Sequence, residues 1–191
     1  MRLAGYADVM FDTTMPSTTF SDRYTTLRSQ LGQACGLLEI ALARAIEPHP
    51  TAAGDAAGAV RCNVEQAIQL CRSIKKTSIA LAWRASHRSD LPGLWRSFLD
   101  AHDLAAMAAS ITAIAERHAT GTAWAINPLA PQLCTLTADL HHLLLDTDPA
   151  RADRILAAIG AWDDATSATQ VQHHQHVYDC AASIAHRYRT K

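Results

Sequence analysis

The chain has 191 residues, 49% of them hydrophobic and 18% charged, with a net charge of −1. A domain of this length can bury a self-sufficient core, and its hydrophobic share excludes a disordered chain. The net charge argues neither for nor against nucleic acid as a partner. No apolar run approaches the ~20 residues of a membrane span, and residues 1–15 lack the apolar core of a signal peptide. We therefore expect one domain over residues 1–191, located in the bacterial cytoplasm.

The first predicted helix follows an irregular N-terminal segment, residues 1–20, which has no helical period. Ser21 can cap this helix, which runs to about Ile46 and is ended by Pro48. Its apolar residues recur at three- and four-residue spacing, as expected for one buried face. They are Tyr24, Leu27, Leu31, Cys35, Leu38, Leu42 and Ile46.

The second and third predicted helices flank a turn at Pro92-Gly93. Gly54 to Gly58 is either a small-residue loop or a frayed first turn of the second helix, whose pattern extends to about Ala85. The third helix runs from about Leu94 to His118. The core candidates of the second helix are Val60, Val64, Ile68, Cys71, Ile74 and Leu81. Those of the third are Phe98, Leu104, Met107, Ile111 and Ile114.

Two Pro-containing signatures introduce the remaining helices. Asn127-Pro128 and Asp148-Pro149 each combine a capping residue with a proline suited to the first helical turn. The last helix spans about Ser167 to Arg187 and is either separate from the fifth or continuous with it through Gly160. No segment alternates as a strand would. The sequence therefore predicts an all-α bundle of five or six antiparallel amphipathic helices, with Leu136, Leu140 and Ile184 among its buried residues.

The cysteines are five in number and widely spaced, without a CxxC pair. Such spacing is typical of free thiols in a reducing compartment. We expect no disulfide and core-facing positions on different helices. The cysteines are Cys35, Cys62, Cys71, Cys134 and Cys180.

The second helix is basic over a long stretch, because no acidic residue lies between Glu65 and Asp90. A helical wheel places its cations and Trp83 opposite the apolar face, if the helix continues that far. Spaced cations contact phosphates, and an aromatic ring can stack on unpaired bases. The alternative is a solvated face whose tryptophan packs against a protein. The candidate nucleic-acid-binding residues are Arg72, Lys75, Lys76, Trp83, Arg84 and Arg88.

An all-α protein of this size with one acid-free basic helix resembles the small helical subunits of CRISPR effector complexes, the Cas11 group. The resemblance rests on length, helicity and the Arg72–Arg88 stretch. It implies a non-catalytic subunit without a cofactor, which self-associates along RNA or single-stranded DNA beside other protein subunits. The acid-rich segment 139–164 could then dock against a basic neighbour.

Two further patterns carry alternative functions. Arg96 and His102 resemble the Arg-x4–6-His motif of HEPN-type ribonucleases, in which the pair acts on an RNA phosphate across a dimer; Arg44 and His49 fit the same spacing. His173, His176 and Cys180 fall within ~60° on a helix and could bind zinc. The competing interpretation packs His173 and Cys180 beside the core, with His174 at its edge. We predict neither catalysis nor a bound metal.

Overall fold

A computed structural model describes residues 19–46, 53–85, 90–119, 130–163 and 172–189. Six α-helices and no strands are found within these ranges, so the all-α prediction is confirmed. The helices hold more than two thirds of the chain. They are α1 (Phe20–Ile46), α2 (Ala53–Ala82), α3 (Leu91–Ala119), α4 (Ala130–Asp146), α5 (Pro149–Asp163) and α6 (Gln172–Arg189).

The first turn of α1 is capped by Thr19, two residues before the predicted Ser21. The Asp22 amide donates to Thr19 Oγ1 at 3.2 Å, and the Thr19 amide donates to the Asp22 carboxylate at 3.0 Å. This reciprocal pair satisfies amides that a helix start leaves without partners. At α5 the predicted cap is confirmed, because the Ala150 amide donates to Asp148 Oδ1 at 3.0 Å.

Several predicted boundaries need correction. Helix α2 includes Gly54 to Gly58, so the loop interpretation of that stretch is wrong. The same helix stops at Ala82, because the chain turns at Trp83. A continuous α5–α6 helix is also wrong, since Arg189 Nε contacts Asp153 Oδ1 at 2.9 Å and the end of α6 therefore lies beside the start of α5. The predicted boundary at Asn127-Pro128 and the start at Ser167 lie outside the described residues.

Helix α3 is central, packing against α1, α2 and α6. Of the 21 residues predicted to be buried, 17 are buried and four are only half-buried, namely Tyr24, Ile46, Ile68 and Phe98. Next to Ile68, Ala67 takes the core position, and such a small residue lets helices approach closely. The confirmed residues include Leu31, Leu38, Ile111, Leu136, Leu140 and Ile184.

Two contacts between α1 and α4 show the relative direction of these two helices. Arg28 near the start of α1 donates to the Leu145 carbonyl near the end of α4 at 2.7 Å. Further along α1, Cys35 Sγ lies 3.9 Å from the carbonyl of Thr137, which comes earlier in α4. This pair of helices therefore runs in opposite directions. The antiparallel arrangement of the whole bundle stays a prediction.

One described helix, α3 from Leu91 to Arg117, is long and apolar enough to cross a membrane by length and composition alone. Core helices of soluble proteins pass the same test, and half of its most apolar window is buried within this fold. The cellular location stays a prediction.

Candidate nucleic-acid interface

The predicted basic face of α2 is largely exposed. Arg72 and Lys76, one turn apart, both reach solvent, whereas Lys75 is half-buried. Arg84 is exposed as well, but it lies in the turn that follows the helix. Arg88 lies outside the described residues.

A groove of about 240 Å³ between α1 and α2 brings three cationic residues together. Lys76 lines it from α2, Arg84 from the turn that follows α2, and Arg23 from the first turn of α1. We call these three residues and the space between them the basic groove. The sequence analysis missed Arg23, because nothing in the linear sequence pairs the start of α1 with the end of α2.

On the other flank of α2, the chain forms an apolar groove of about 390 Å³ against the start of α3. Trp83 is 87% exposed and Trp95 is 61% exposed. The Trp95 ring stacks on Phe98, with centroids 5.3 Å apart and planes within 7°. This aromatic groove is lined by Ser78, Ile79, Trp83, Leu91, Trp95 and Phe98.

Sequence reasoning singled out Trp83 but placed it among the cations of a continuous α2; because α2 ends at Ala82, its ring lines the apolar groove instead. It did not single out Trp95. The turn predicted at Pro92-Gly93 is wrong, because both residues lie in the first turn of α3, which begins at Leu91. The only local signal for Trp95 is its position just after these two residues, which does not say which side of α3 the ring takes. Two neighbouring tryptophans with rings largely in water are unusual, since large exposed apolar patches mark binding sites.

A buried ionic cluster joins α3 to α6. Arg187 donates from Nε to Asp100 at 2.7 Å and from its terminal nitrogen to Asp103 at 2.6 Å. The Tyr188 hydroxyl donates to Asp100 at 2.9 Å. Burial raises the pKa of Asp100 to about 6, although Arg187 and these hydrogen bonds act in the opposite direction. The cluster therefore anchors α6 through a carboxylate that water does not reach.

Within one chain, the two residues of the ribonuclease alternative, Arg96 and His102, do not form a common site. The Arg96 guanidinium lies 5.0 Å from the centre of the Tyr188 ring, whereas His102 is exposed. Six helical positions separate the two residues by roughly 120° around the axis and about 9 Å along it. Because that family acts across a dimer, the alternative stays a prediction.

The proposed metal ligands come together only in part. Cys180 Sγ and His176 Nε2 are 4.0 Å apart, and His173 is half-buried. No group of three or more metal-binding side chains is found among the described residues. Burial, followed by Asp103, raises the pKa of Cys180 to about 12, which opposes the thiolate that zinc requires. His174 is in the core rather than at its edge, and burial lowers its pKa to about 4.

The cysteines are all free thiols. Cys35, Cys71 and Cys180 are buried and Cys134 is half-buried. The expectation of five core-facing thiols on different helices is wrong for Cys62, which is exposed and shares α2 with Cys71. Burial raises the pKa of Cys71 to about 11 and that of Cys35 still further.

The acid-rich segment 139–164 is partly neutralised by arginines. Asp139 contacts Arg151 at 3.1 Å, and Asp153 contacts Arg189 at 2.9 Å. These pairs reduce the negative potential that the segment could offer to a basic neighbour.

Comparison with known proteins identifies no relative: no protein family, curated protein or solved structure matches this chain. Functional inference therefore depends on the geometry and chemistry of its own surface.

Proposed function

We propose that this protein is a non-catalytic helical subunit that contacts the backbone of a nucleic acid through the basic groove and the exposed face of α2. The observation that carries the proposal is the convergence of Arg23, Lys76 and Arg84 around one groove. Arg72 extends the positive surface by one turn of α2. Because residues 66–89 contain no acid, this surface is positive despite the net charge of −1.

The expected affinity of a single copy is modest. Each phosphate contact to a single strand contributes about −0.7 to the slope of log K against log salt, so three contacts give a slope of about −2. Several copies bound side by side would share one strand, and weak sites add through effective concentration. The function we propose is therefore that of a subunit in a nucleoprotein assembly, built on an antiparallel bundle as in the CRISPR small subunits.

The test is the triple charge reversal Arg72→Glu, Lys76→Glu and Arg84→Glu, measured by fluorescence anisotropy with a labelled single-stranded oligoribonucleotide across a salt titration. We expect binding to be lost at low salt and the far-ultraviolet circular dichroism to be unchanged, because these side chains point outward. The matched control reverses three exposed arginines on other helices: Arg44, Arg117 and Arg154.

The control changes the net charge by the same amount. It therefore distinguishes a loss of RNA binding caused by this particular surface from one caused by the change in net charge. Equal losses in the two triple variants would contradict a specific interface. Unchanged binding in the test variant would reject the proposed function.

A further inference from the structure

The aromatic groove has one hydroxyl among its described lining residues, that of Ser78. Ser78 is 2% exposed, and its Oγ has no hydrogen-bond partner within the described part of the chain. A buried polar atom without a partner costs free energy and calls for an explanation. A ligand that enters the groove with a hydrogen-bonding edge would supply the missing partner.

We propose, on the basis of the proposed function, that the aromatic groove receives an unpaired base of a single-stranded nucleic acid. Stacking on Phe98 holds the exposed Trp95 ring in place as a flat apolar surface, and Trp83 stands in solvent at the same groove. A base is planar and stacks on such rings whatever its identity. Its polar edge can reach Ser78 Oγ, which the aliphatic side chains of a docking helix would leave without a partner.

The charge around the groove fits the same ligand. On α2, Arg72 and Lys75 lie within ~40° of Ile79 around the helix axis, on the flank that borders the groove. Lys75 and Arg72 lie about 6 and 10 Å before Ile79 along the axis, so a strand whose base enters the groove can place its neighbouring phosphates near these two cations. A duplex offers the phosphates but keeps its bases paired and stacked, so it lacks the group that the groove accommodates.

The experiment compares a labelled single-stranded oligoribonucleotide, an abasic strand of the same length and a hairpin duplex. We expect Trp95→Ala and Trp83→Ala each to weaken single-strand binding roughly 5- to 150-fold, the usual effect of losing one base–aromatic stack. Ser78→Ala should weaken it roughly 2- to 12-fold, as for the loss of one hydrogen bond. Ile40→Ala, at an exposed apolar residue on α1, is the matched control and should have no effect.

The abasic strand isolates the base from the charge. Wild-type protein should bind it more weakly than the intact strand, and Trp95→Ala should weaken it no further. Intrinsic tryptophan fluorescence should be quenched by the intact strand alone, and the salt slope should be the same for Trp95→Ala and wild type, because stacking releases no counterions.

The outcomes separate this inference from the proposed function on which it rests. If the triple charge reversal abolishes binding but Trp95→Ala does not weaken it, the groove takes no base and the backbone interface stands. Equal affinity for the duplex and the single strand would overturn base insertion as well. A concentration-dependent self-association that Trp95→Ala removes, with no change in RNA binding, would instead make the groove an interface between copies of this chain.

Discussion

Replacing Arg187 by Met should destabilise the protein by about 3–5 kcal/mol at neutral pH, the usual cost of leaving one member of a buried ion pair without its partner. Arg187 donates to Asp100, Asp103 and Ser183, and Asp100 is 0% exposed. Methionine keeps most of the apolar stem, so the loss reports mainly on charge and hydrogen bonds. The expected fall in Tm is roughly 6–20 °C, measured by circular dichroism.

The effect of this substitution should depend on pH with a defined sign. Burial raises the pKa of Asp100 to about 6 in the folded protein, above its ordinary value of 3.8. The folded state therefore takes up a proton that the unfolded state does not, and this carboxyl contributes increasing stability as the pH falls from about 6 towards 4. Removing Arg187 raises the pKa of Asp100 further. The difference in free energy of unfolding between wild type and Arg187→Met should consequently be about 1 kcal/mol smaller at pH 5 than at pH 7.

Arg189→Met is the matched control, because it breaks a salt bridge of similar length at the same end of α6. That pair, with Asp153, has side chains 59% and 58% exposed, and exposed pairs contribute about 0.2–1 kcal/mol. Equal losses in the two variants, or a pH-independent deficit for Arg187→Met, would refute the reasoning about burial.

Three other predictions address packing, backbone entropy and thiol chemistry. Leu38→Ala should cost about 2–5 kcal/mol in urea denaturation, because Leu38 is wholly buried and its loss leaves a cavity; a cost under about 0.5 kcal/mol would contradict its core position. Gly58→Ala should stabilise by about 0.5–1 kcal/mol in the same assay, since a Cβ there meets no atom within 4 Å, and a loss of stability would show a contact that the structure lacks. Cys62 should react first with a thiol-specific chromophore, whereas Cys35 should react only on unfolding; equal rates would contradict the burial of Cys35.

The sequence predicted those features that depend on residues close together in the chain. The three-four spacing of apolar residues located the helices and 17 of the 21 predicted core positions, and Asp148-Pro149 located the start of α5. Helix ends were less predictable, because they depend on polar capping side chains and not on the spacing of apolar residues. The cap of α1, for example, is Thr19 and not the predicted Ser21. Arg23 and Trp95 could not be assigned to their grooves at all. Their grooves exist only where α1 and α3 pack against α2, and that packing is a tertiary property.

The link between Asp100 and Arg187 also affects the order in which this chain can mature on a ribosome. The two residues are 87 positions apart, so at about 5–20 residues per second the carboxylate emerges roughly 4–17 s before its guanidinium partner. During that interval α3 can pack against α1 and α2 only with Asp100 protonated or hydrated, and its α6-facing side stays uncovered. A nascent chain of this protein therefore holds its central helix open to chaperones until the last helix has been synthesised and has left the ribosome.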